Sequence, residues 1–89
     1  MTRKATPLLA AEALRLLQIE RRLQVGNGAT FAELEKLLLV SAATVKRDLR
    51  LLREQLGAPI FFDRVEGRYR FVDRWVGVLA HLVQEASAA

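Results

Sequence analysis

Apolar residues recur every three to four positions over most of this chain, and at every second position over one short stretch near residue 60. The first helical pattern opens at Thr6-Pro7, an N-cap followed by a Pro where its missing N–H costs nothing, and runs to about Val25. At about 100° per residue, Leu9, Leu16, Ile19 and Leu23 share a face, while Ala10, Leu14 and Leu17 widen the apolar arc. Gly26-Asn27-Gly28 then stops the helix with a flexible turn. A second, shorter helix opens at Thr30, with Glu33 at capping-box spacing, and turns Leu34, Leu37 and Leu38 inward. Leu39, Val40 and Ser41 separate it from a third helix over 42–56, for which Ser41 is a good N-cap.

That third helix has the cleanest pattern. Leu49, Leu52 and Leu56 fall within about 40° of Val45, while Ala43, Lys46, Arg47 and Arg50 fall about 100–200° away on the opposite side. Gly57 supplies a left-handed stop and Pro59 prevents resumption. The period then changes to two. Ile60/Phe62 alternate against Phe61/Asp63, the chain turns through Arg64–Gly67, and Tyr69/Phe71 return opposite in face to Arg68/Arg70. This reads as a β-hairpin with Gly67 at a positive-φ turn position. Asp73 is placed to cap a last helix over 74–86, before a tail of small residues. The expected fold is mainly α with a β-hairpin (α+β): a three-helix core, a two-stranded wing and a C-terminal helix. Residues 1–5 form an arm, 6–73 the domain, and 74–89 the C-terminal helix as a possible dimerisation element.

Composition narrows the classes. Eighty-nine residues, 52% of them apolar, suit one folded domain. No apolar run approaches the roughly 18 residues of a membrane span. Glu12 and Arg15 interrupt the apolar N-terminal stretch, which repeats with helical spacing, so a helix rather than a signal peptide is expected there. The absence of cysteine makes a reducing, cytoplasmic setting the default. A net charge of +4 decides little, but residues 41–74 hold eight cations against five acids and so carry +3 of it.

Two short helices joined by three residues, the second cationic on its outer side, make a helix-turn-helix, and the hairpin that follows makes it the winged variant. Such a helix fits the major groove of B-DNA with its first turn nearest the base edges. Ala42 and Ala43 let the backbone come close, and Arg47 and Lys46 can reach guanine acceptors. Ser41 and Thr44 can donate to a phosphate at the helix N-terminus, and Arg50 extends the cationic side. "VSAATVKRDLRLL", together with "LGAPIFFDRVEGRYRF", resembles the N-terminal winged-helix domain of bacterial DeoR-type and WYL-domain transcriptional regulators, over residues 15 to 71. The resemblance implies double-stranded DNA binding through the helix at 42–56, wing contacts from Arg64 and Arg68, and a homodimer on an inverted repeat. Two features depart from the family. Leu39 occupies a turn position often held by Gly, which implies a different bend or a strain of about 1 kcal/mol or more. Regulators of this kind usually continue into a ligand-sensing domain, whereas about eighteen residues follow the wing here; the chain reads as a stand-alone regulator or as the DNA-binding fragment of a longer one.

Blander readings stand beside these. Arg53 lies nearer the core stripe and is as suited to a carboxylate as to phosphate, Asp48 suits a structural role such as holding an Arg, and Arg70 suits plain exposure. Arg64 and Arg68 divide evenly between DNA and solvent. Arg3 and Lys4 fit a disordered tail better than a groove-seeking arm, and the aromatics of the hairpin fit core filling better than a stacking platform. The over-wide apolar arcs of the first and last helices predict pairing across a two-fold axis through Leu14, Leu17, Trp75, Leu79 and Leu82, with Trp75 the anchor. The alternative is mutual cover within one chain. His81 alone makes neither a metal site nor a catalytic base, so no metal, cofactor or enzyme activity is expected. A protein-interaction module is the competing function, disfavoured by the cation stripe.

Overall fold

In the computed structural model, which describes residues 10–80, α1 (Ala10–Leu23) lays Leu16, Ile19 and Leu23 into the core, as its apolar stripe requires. The expected start at Thr6-Pro7, with Leu9, the arm of residues 1–5, and the segment from His81 through Leu82 to the tail lie outside the described residues. α2 (Phe31–Leu38) begins with a complete capping box. The Glu33 N–H donates to Thr30 Oγ1 at 3.1 Å, and the Thr30 N–H donates to Glu33 Oε1 at 2.9 Å. This helix buries Leu34 and Leu38. Leu37, expected inward as well, is 40% exposed, because so short a helix meets the core along a narrow stripe.

The helix expected over 42–56 is α-helical only as α3 (Ala42–Arg50), and continues as a π-helical turn over Leu51–Gln55. The Leu56 N–H reaches back to the Leu51 carbonyl at 3.2 Å, and the Ala58 N–H to that of Leu52 at 2.8 Å. The wider turn absorbs an extra residue. Leu52 thereby stays buried beside Val45 and Leu49, and the chain leaves toward the hairpin with Ala58 and Ile60 still covered.

The hairpin pairs β1 (Ile60–Asp63) with β2 (Arg68–Phe71) antiparallel, Ile60 opposite Phe71 and Asp63 opposite Arg68. Gly67 takes φ +67°, and its N–H closes the turn on the Asp63 carbonyl at 2.7 Å. Tyr69 and Phe71 pack against the core, whereas Phe61 and Phe62 stay largely exposed. Sequence pattern missed a third strand position. Ala29 exchanges two backbone hydrogen bonds with Tyr69, at 3.0 and 2.8 Å, on the side of β2 away from β1. This pairing sits on Gly28, at φ +83°, where a Cβ would lie 2.1 Å from the Tyr69 carbonyl oxygen.

The last segment corrects another expectation. Residues 74–77 are not helical; helical geometry resumes at Val78, whose side chain is fully buried. Asp73 therefore caps no helix among the described residues, its carboxylate accepting the neighbouring Arg74 N–H at 2.7 Å. The Val78 N–H is met instead by Glu20 Oε2 of α1 at 3.1 Å, a buried long-range bond. Gly77, at φ +106°, turns the chain into that contact, and Trp75 lies inward with its ring stacked 6.4 Å from Phe71. The described residues are thus a mixed α+β unit of helices and a two-stranded antiparallel hairpin.

Candidate nucleic-acid interface

Ser41, in extended backbone geometry, caps α3: its Oγ accepts the Thr44 N–H at 3.3 Å and lies 3.2 Å from the Thr44 hydroxyl. One hydroxyl of this pair must donate to the other, so together they keep a single O–H for an outside acceptor. Ala42, Ala43, Lys46, Arg47 and Arg50 are exposed around the outer side of the helix, while Val45, Asp48 and Leu49 are buried. The turn that sets this helix against α2 passes through Leu39 at φ 55°, ψ 43°. The backbone therefore bends as it would with Gly, and the strain foreseen in the sequence is the form the departure takes.

Three of the acids near this surface, Asp48, Glu33 and Asp63, are taken up within the fold, while Glu54 and Glu66 stay exposed. Asp48, on the inner side of α3, receives Arg15 of α1 through two bonds, Nε to Oδ2 at 2.7 Å and Nη2 to Oδ1 at 3.2 Å. That pair fixes the rotation of α3 against α1, and the bond to Asp48 holds the Arg15 guanidinium even more firmly protonated than usual. Glu33 Oε1 gathers the Thr30 N–H, Arg22 Nη2 at 3.2 Å and Arg68 Nη1 at 3.5 Å. The backbone N–H of Thr30, then the charges of Arg68 and Arg22, hold the Glu33 carboxyl below its ordinary range. Asp63 accepts the N–H groups of Glu66 and Val65 and meets Arg70 at 2.7 Å; the Glu66 N–H contributes most to lowering its pKa.

Some expected site residues are therefore already engaged. Arg68 does not reach outward from the hairpin: its guanidinium is drawn back to Glu33 and to the Gly28 carbonyl, 3.4 Å away. Arg70, expected to be merely exposed, is half-buried against Asp63. Arg64 stands in the turn, exposed and without an ion pair among the described residues. Lys46, Arg47 and Arg53 are in the same condition, and Arg50 has only a loose 4.0 Å approach to Glu54 with both side chains mostly exposed. The arrangement leaves one helix side and one turn with an excess of exposed positive charge, in which Glu54 and Glu66 are the exposed acids, while Asp48, Glu33 and Asp63 are paired within the fold.

Of the residues expected at a dimer interface, Leu17 and Trp75 pack against the chain's own core. Trp75, expected as the anchor of that interface, is partly buried, because the non-helical 74–77 segment turns it toward Phe71. Leu14 and Leu79 are 59% and 60% exposed, and Leu82 lies outside the described residues. Glu20 was missed because a carboxylate on an apolar helix side carries no local sign of the distant N–H it accepts. Among the described residues no helix is long and apolar enough to cross a membrane, and no cluster of three or more metal-ligating side chains forms. No protein-family model, curated protein or solved structure matches the chain.

Proposed function

We propose that the chain is a winged helix-turn-helix module that binds double-stranded DNA in a sequence-specific manner, as a transcriptional regulator of the DeoR or WYL type or the DNA-binding part of one. α3 enters the major groove with Ala42 and Ala43 against the groove wall. Arg47 and Lys46 face base edges, the Ser41–Thr44 hydroxyl pair and Arg50 face phosphate, and Arg64 reaches backbone from the hairpin turn. Arg68 acts as a positioning residue that ties β2 to the Glu33 node. The observation that carries this reading is the distribution of charge: Asp48, Glu33 and Asp63 are bound to Arg15, Arg22, Arg68 and Arg70, while Lys46, Arg47, Arg50, Arg53 and Arg64 stand exposed against only two exposed acids beside them, Glu54 and Glu66.

A competing reading as a protein-interaction module draws on the exposed Phe61, Phe62 and Val65 of the hairpin. A mobility-shift assay with pooled genomic DNA at moderate salt separates the two. The DNA reading expects a shifted band that Lys46→Glu combined with Arg47→Glu abolishes while the circular dichroism spectrum is preserved. Equal binding by that variant, or no binding by the wild-type chain, would sink it. Selection of bound duplexes from a random pool then reports the operator and its symmetry.

A further inference from the structure

The cationic side of α3 continues past the residues assigned to the groove. Lys46 and Arg50 are followed on the same flank by Arg53, in the π-helical turn, and the three line a cleft of about 250 Å³. Leu49 and Tyr69 of β2 complete it, so the cleft lies between the recognition helix and the hairpin. Arg53 is exposed and has no carboxylate partner among the described residues, so the choice left open by the sequence does not fall to an ion pair within the chain. Three cations beside a leucine and an aromatic ring suit a strand that is anionic at regular intervals and apolar along its sugars. An isolated acidic peptide would meet the same charges. The cleft, however, runs on from the outer face of α3 through shared residues Lys46 and Arg50, which is what a continuous polyanion uses.

Building on the duplex-binding reading above, we propose that this cleft seats the sugar–phosphate backbone of one DNA strand at the edge of the major groove. Arg53 is its phosphate contact and Tyr69 its far wall. Arg53 thus contributes affinity without reading sequence.

The test is fluorescence anisotropy of the full chain on a selected operator duplex and on an unrelated duplex, across a salt series. Arg53→Gln should weaken both by the same factor, about three- to tenfold, and make the log–log salt slope shallower by about 1 per protomer. Arg53→Lys, which keeps the charge, should recover most of that slope, and the melting temperature of the free protein should not move. An unchanged slope for Arg53→Gln, with the wild-type chain still salt-sensitive, overturns the cleft assignment and leaves the α3 reading standing. A loss confined to the operator also overturns it, since Arg53 would then read a base. Wild-type chain that binds neither duplex overturns both, and binding of a poly-glutamate peptide in preference to either duplex assigns the cleft to a protein partner instead.

Discussion

Leu39 holds the turn between α2 and α3 in a conformation its own Cβ resists. At φ 55° a non-glycine residue loses about 1–2 kcal/mol, and with the side chain 85% exposed little packing offsets it. Gly relieves the strain but adds about 0.4–1 kcal/mol of unfolded-state entropy to be lost. Leu39→Gly should therefore stabilise the chain by about 0.5–1 kcal/mol, read as a higher urea midpoint with an unchanged m value. A lower midpoint would show that the leucine is held by contacts worth more than the strain. Asp48 is the opposite case, a residue whose neighbours determine its worth. It is 2% exposed and joined to an Arg15 side chain that is 20% exposed, so Asp48→Ala leaves a guanidinium half-trapped against apolar neighbours. The expected cost is about 2–3 kcal/mol, somewhat below that of a fully buried pair because Arg15 can turn toward water. Asp48→Leu combined with Arg15→Leu should recover most of it, and a double-mutant cycle measures the coupling. Because Asp48 is next to Arg47, the proposed function expects Asp48→Ala to weaken DNA binding as well, through the rotation of α3 and without removal of any cation.

Individual elements owe their placement to a few long-range bonds. The Ala29–Tyr69 pairing ties the α1–α2 loop to the hairpin, and Gly28 is the residue that lets the two backbones approach. Gly28→Ala would force a Cβ against the Tyr69 carbonyl as well as strain φ +83°, and should cost about 3 kcal/mol or more in chemical denaturation. The Glu33 and Asp63 carboxylates work in the same region and give the fold an acid-sensitive limb. Both fold with a pKa below the ordinary values of 4.5 and 3.8, so in that range the unfolded chain binds more protons and stability rises with pH. Their contribution is complete above those ordinary values and is lost as pH falls through the lower folded ones. Melting temperature should fall as pH drops below about 5, and Glu33→Gln should flatten part of that fall. These bonds also mark the limit of what the sequence discloses. The α3 stripe, the Thr30–Glu33 box and the Gly67 turn were legible because each is set by spacing within a few residues. The Ala29 pairing, the capture of Arg68 by Glu33 and the replacement of Asp73 by Glu20 were not, because each partner is fixed only once the chain has folded. The exposed cationic side of α3 followed from periodicity, whereas the cleft that includes Arg53 needed β2 to be placed beside α3.

At the scale of the whole molecule, charge and apolar surface bear on the same question under the proposed function, the number of protomers that would sit on one operator. Among the described residues of the first helix and the 72–79 segment, Leu17 and Trp75 are partly buried against the core, and Leu14, Val72, Val76 and Leu79 are exposed. On the proposed DNA-binding reading, a dimer built on that exposed set would be favoured by DNA, which brings two copies to adjacent half-sites about 34–36 Å apart. The two assembly states differ in a measurable way. Three or four phosphates neutralised by each protomer give a log–log salt slope of about −5 to −7 for a dimer and about half that for a single copy. Light scattering should show mass rising above the 10.0 kDa monomer as operator duplex is added, beyond that of a one-to-one complex. Leu79→Glu with Leu14→Glu should return the complex to one copy and halve the slope, while leaving contacts within each half-site intact. If the slope of the wild-type complex already lies near −3 and the selected sites carry no two-fold symmetry, the chain reads DNA as a monomer. Arg47→Ala would still cost about 1–3 kcal/mol and relax preference at a base pair in that case, because the base reading proposed for α3 does not depend on a second copy.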